Sequence, residues 1–114
     1  MQNQSKCTIL LNIYLSRKVT VSALENVQKI YSGPVGTLWK LIMGEQIHVG
    51  GLTGSLNLLK KSGISENQRG VDLCCCNGAG MRFLLRFGNI SHMTGVDATQ
   101  HVIDTGEEMC KEEK

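Results

Sequence analysis

The sequence predicts an α/β chain: one βαβ unit of a partial doubly wound sheet, preceded by an N-terminal helical cap. Three observations carry this. Apolar residues recur at helical spacing through the first half, short continuous apolar runs replace them after residue 68, and a glycine-bearing turn stands between the first such run and the next helix. With 114 residues, one small domain is the ceiling.

The N-terminal run CTILLNIYL is far shorter than the ~20 residues that a membrane helix needs, and no small-residue cleavage site follows it. It reads as a buried strand or helix edge, and no other stretch suits a membrane, so the chain is expected to be soluble. From about Val19 to Tyr31, Leu24, Val27, Ile30 and Tyr31 mark a first helix, which SGPVG breaks. Val35, Leu38, Trp39, Ile42 and Met43 then form one apolar stripe of a second helix. A glycine-rich loop, GEQIHVGG, leads to a third helix around Leu56 to Lys61 that Gly63 can close in a left-handed conformation.

The period then changes. RGVDLCC has the continuous apolar character of a strand buried on both faces. Past the turn, Phe83, Leu84 and Phe87 give a helical face that Gly88 ends, and SHMTGVD reads as a second strand. Thr99 is placed to cap a last helix carrying Val102, Ile103, Gly106 and Met109. The chain thus divides into residues 1–65, an N-terminal region with the helical cap, and residues 66–114, the βαβ unit.

Charge and cysteine content narrow the functional classes. A net charge of +2, with basic residues concentrated before residue 66 and acidic ones after it, is no nucleic-acid footprint. Five cysteines, three of them consecutive at Cys74, Cys75 and Cys76, fit reduced thiols in a cytoplasm better than a disulfide framework. Neighbouring strand residues point to opposite faces, so the three thiols do not converge on a metal. They read as small filler where strand meets turn.

In a doubly wound sheet, a ligand sits beyond the carboxyl ends of the strands, where the first turn admits a nucleoside and an acid about 20 residues on holds its ribose. Gly78 and Gly80 supply the turn and Asp97 the acid, nineteen residues past Gly78. A dinucleotide fingerprint is incomplete, because Phe83 stands at its third glycine position.

The run DLCCCNG resembles the first motif of class I S-adenosylmethionine-dependent methyltransferases: an acid, an apolar residue, then G-x-G-x-G. Asp72 takes the acid position and Cys74, Cys76 and Gly78 the three glycine positions. Members acting in ubiquinone biosynthesis often read DLCCGTG, so a cysteine at the first position is familiar there, whereas Cys76 departs from the family and narrows the space for the methionine moiety. The likeness extends over roughly residues 28–109 to sarcosine/dimethylglycine and phosphoethanolamine N-methyltransferases. There a cap tyrosine precedes a phrase like GE-x-I-x-x-GG; here Tyr31 precedes GEQIHVGG, and Arg82 follows the first motif.

This resemblance implies a Rossmann-like methyltransferase fold that binds S-adenosylmethionine and N-methylates a small-molecule amine. It makes Tyr31 a latch over the active site, and Ile47, His48 and Gly50 the pocket rim. It places the cofactor on Asp72, Cys74, Gly78, Asp97 and Ala98. His48 is the candidate general base, against a plain loop role. Trp39 is a candidate aromatic for the cation, although its place in the apolar stripe favours a core role. Such enzymes have a wider sheet than the two strands predicted here. The expectation is therefore an N-terminal fragment, inactive alone, whose exposed sheet edge self-associates or pairs with a complementing chain. The alternative is a non-catalytic nucleoside-binding or interaction module.

Overall fold

The structure, a computed structural model, describes residues 7–11, 21–44 and 49–112. Its elements run β1 (Cys7–Leu11), α1 (Val21–Ser32), α2 (Pro34–Met43), α3 (Gly51–Ser62), β2 (Arg69–Leu73), α4 (Ala79–Phe87), β3 (His92–Asp97) and α5 (Gln100–Glu112). The three predicted cap helices form, the third beginning at Gly51, the last glycine of GEQIHVGG, ahead of the Leu56 expected. Pro34 sits in the first turn of α2, where its missing N–H leaves no bond unmade, and Gly63 closes α3 at φ 71°.

The strands make one parallel sheet in the order β1-β3-β2. Cys7 of β1 lies beside Met93 of β3, and Gly70 of β2 lies beside Met93 on the other flank. The pair β2-α4-β3 is the expected βαβ unit. The described part of the N-terminal apolar run, Cys7–Leu11, is a strand, and it occupies the flank of β3 where a doubly wound order would put the strand that follows α5.

Among the described residues, only one face of this sheet is covered. Ile9, Met93 and Gly95 point into a core with Cys75, Met81, Ile90 and Ile103, so α4 and α5 both lie on that side. Gly106 lets α5 come in close, since a Cβ there would sit 2.6 Å from the Asn77 carbonyl oxygen and 2.7 Å from Ile9. The opposite face is open: Val71 is 66% exposed and Leu73 74%. The expectation that β2 is buried on both faces is therefore corrected. Its two apolar side chains, Val71 and Leu73, share the open face, Gly70 and Asp72 take the packed one, and β2 forms an edge of the sheet among the described residues.

The cap helices are equally underpacked. Leu38, Trp39 and Ile42, the predicted stripe of α2, are all more than half exposed. α1 packs against α2 and touches the start of α5, and Gln28 Nε2 donates to the Ala98 carbonyl at 2.7 Å. That bond fixes the cap over the carboxyl end of β3.

No described helix is long and apolar enough to cross a membrane.

Candidate functional site

The turn between β2 and α4 is built on three left-handed residues. Cys74 has φ 61°, Cys76 φ 52° and Gly78 φ 78°. Glycine takes this conformation freely, whereas an L side chain costs about 1–2 kcal/mol there. The other described non-glycine residues with positive φ, Asn67 and Asn89, are of the type that tolerates it. The two cysteines are not.

Several bonds hold this costly turn in place. Asp97 at the end of β3 accepts the Cys76 N–H through Oδ2 at 2.8 Å and the Thr99 N–H through Oδ1 at 2.9 Å. The Cys75 N–H donates to the Val96 carbonyl. From α4, the buried Arg82 donates through Nη1 to the Asn77 carbonyl at 2.6 Å, while the Ala79 N–H donates to Asn77 Oδ1 at 3.3 Å. The turn is thus tied to β3 on one side and to α4 on the other.

Two cavities flank it. One, of about 640 Å³, lies between the cap and the turn, with Tyr31, Trp39, Lys40, Cys76, Asn77 and His101 in its wall. The other, of about 610 Å³, runs along the β2 edge against α3, and Asp72, Cys74, Cys76 and Val71 line it. Volumes of this order suit a nucleoside-sized ligand.

The predicted residues divide between these places. Tyr31 borders the cap cavity, Asp72 and Cys74 border the second, Asp97 braces the turn, and Ala98 accepts the bond from Gln28 of the cap. Gly78 is buried against Ile9, Met81 and Arg82, so it shapes the backbone and faces the core. Gly50 opens α3 at φ 93° and lines neither cavity. Ile47 and His48 lie outside the described residues. The core reading of Trp39 is corrected: it is 51% exposed and stands in the cavity wall, because no described element packs over its face of α2.

Sequence reasoning passed over Lys40 and Asn77. His101 at the start of α5 has the surface exposure its sequence context suggests and also borders the cap cavity. Nothing in the sequence distinguished Lys40 from a solvated helix residue.

The site is electrostatically uneven. Burial raises the Asp72 carboxyl above the ordinary 3.8, and the neighbouring Asp97 charge raises it further. Burial likewise pushes Cys76 up, against bonding from the Asn77 backbone, and Cys75 up to about 12. The cysteines point apart: Cys74 is exposed, Cys75 is in the core, and Cys76 faces the cavities. Paired carboxylates favour a cationic ligand, and the raised thiols of Cys75 and Cys76 are poor nucleophiles.

Comparison with protein-family models and with curated proteins finds no match to this sequence.

Proposed function

We propose that this chain forms the cofactor-binding part of an S-adenosylmethionine-dependent N-methyltransferase for small amines such as a glycine derivative or phosphoethanolamine. One observation carries the reading: the residues aligned with the family's three glycines, Cys74, Cys76 and Gly78, all have positive φ. A motif recognised from letters alone need not have the backbone that glycine permits. This one has it, and it lies at the carboxyl end of the parallel strands, the place where such sheets bind ligands.

The residues present fit the cofactor in outline. Each Asp97 oxygen carries one backbone hydrogen bond and keeps a lone pair for a ribose hydroxyl. The Asp72 and Asp97 charges suit a cation, Lys40 suits a carboxylate, and Tyr31 and Trp39 offer aromatic faces. When bound, the cofactor supplies an activated methyl group. The chain's own part is to orient cofactor and amine and to exclude water. On this reading the chain acts in the cytoplasm, without nucleic acid.

A second reading has its own support. The open sheet face and the half-exposed cap stripe favour a nucleoside-binding interaction module that pairs with a second copy through the β2 edge. Titration calorimetry with S-adenosylmethionine, with NAD as comparator, tests the first reading. Selective binding of S-adenosylmethionine supports it. Absence of heat at millimolar ligand rejects it and leaves the interaction module, for which sedimentation must then show a dimer.

A further inference from the structure

Cys7 opens β1 and Cys110 lies near the end of α5, 103 positions later, yet their sulfurs are 2.8 Å apart. That is closer than two thiols that merely touch, and a disulfide bond of about 2.05 Å lies less than about 1 Å of travel away. Both side chains are half-buried, so the pair sits under the end of α5 with a path to solvent. No part of the proposed cofactor site uses either residue.

We propose that Cys7 and Cys110 are a dithiol–disulfide couple that a small disulfide such as glutathione disulfide closes, fastening β1 to α5. The chemistry balances in two exchanges. The Cys110 thiolate attacks one glutathione sulfur, forming a mixed disulfide and expelling a glutathione thiolate with the bonding pair. Cys7 then gives its proton to solvent, attacks the Cys110 sulfur, and expels the second glutathione thiolate. Two protein thiols are oxidised, and one glutathione disulfide is reduced to two thiols.

Burial pushes the Cys7 thiol up to about 12, and its bond with Cys110 adds to this; the exchange can equally open at Cys7, and the closed product is the same. Cys75 is walled into the core, and exposed Cys74 has no described cysteine partner within bonding reach. The closed couple would join the two ends of the described fold and fix the strand that completes the sheet.

The test is a peptide map of the full chain after equilibration with glutathione disulfide, alkylation of remaining thiols, and trypsin digestion without reduction. Cleavage after lysine and arginine puts Cys7 in peptide 7–17, Cys110 in 87–111, and Cys74, Cys75 and Cys76 together in 70–82. We expect 7–17 joined to 87–111, and a thermal midpoint at least about 8 °C above that of the reduced chain, since the bond closes a loop of about 100 residues. Cys7→Ser and Cys110→Ser should each abolish that rise. A link to 70–82 instead, glutathione retained on Cys110 with Cys7 alkylated, or equal midpoints for oxidised and reduced chain would overturn the proposal. The map needs no variant, so a poorly folding substitution does not shield it.

Discussion

Asp97 reaches back twenty-one residues to accept the backbone N–H of Cys76 at 2.8 Å, tying the end of β3 to the strained centre of the turn. The carboxylate proposed to hold a ribose therefore also holds the turn that would receive the cofactor.

Removing it should have two effects at once. Asp97→Ala loses the bonds to Cys76 and Thr99 and any bond to the ribose, each charge-assisted bond being worth about 1.5–3 kcal/mol. S-adenosylmethionine affinity should fall at least about tenfold and the unfolding midpoint should drop. Calorimetry on the folded variant that finds unchanged affinity would reject the ribose role.

Cys76→Gly should act in the opposite direction. It relieves left-handed strain and opens the second glycine position, so stability should rise by up to about 1 kcal/mol after the larger chain entropy of glycine is set against it. Cofactor affinity should rise as well. Denaturant titration and calorimetry read the two effects separately, and weaker binding would show that the thiol is a contact rather than an obstruction.

The cap aromatics should separate. Tyr31→Phe keeps the ring and should leave S-adenosylmethionine affinity within about threefold, or ~0.65 kcal/mol. Trp39→Ala removes an aromatic face worth about 0.5–2 kcal/mol to a cation, and should reduce the preference for S-adenosylmethionine over its uncharged demethylated product. An unchanged preference would return Trp39 to a purely structural role.

Stability should depend on pH through Asp72. Its carboxyl is raised in the folded chain, by burial first and by Asp97 second, so the native state binds more proton than the unfolded one between the ordinary value and the raised one. Stability therefore falls as pH climbs through that window and stays lower above it. Asp72→Asn should flatten this limb and stabilise the neutral chain by no more than about 1 kcal/mol, given solvent screening, while weakening cofactor binding. A variant with the parent's pH profile would remove Asp72 as the source.

With one face of the sheet open and Leu73 74% exposed, the chain alone should self-associate, and it should transfer no methyl group to sarcosine, dimethylglycine or phosphoethanolamine. Radiolabelled S-adenosylmethionine and sedimentation test both statements. Robust transfer by a monodisperse monomer would show that the described residues already complete the site.

The local grammar of the fold was legible: Pro34, Gly63 and Gly78 stand where their backbone chemistry demands, and the α2 stripe has helical period. What periodicity cannot report is whether a partner exists. Trp39 and Val71 have the spacing of buried residues and lie exposed, because burial depends on neighbours distant in the chain. The same holds for β1, whose pairing with β3 rests on a contact 86 positions away. Asp97 was identified from its interval to the turn, but its bond to Cys76 depends on a left-handed backbone that a run of three cysteines does not announce.

The strand order also dictates a timetable. β1 precedes its only described neighbour, β3, which begins at His92, so none of its described ladder bonds can form until the intervening helices and β2 have been made. Such distant pairing makes assembly slow and leaves a nascent apolar strand unpaired meanwhile. Pulse-labelled hydrogen exchange during refolding should find the amides of Cys7–Leu11 protected after those of α4, so that the earliest element of the sheet is the last to arrive in it.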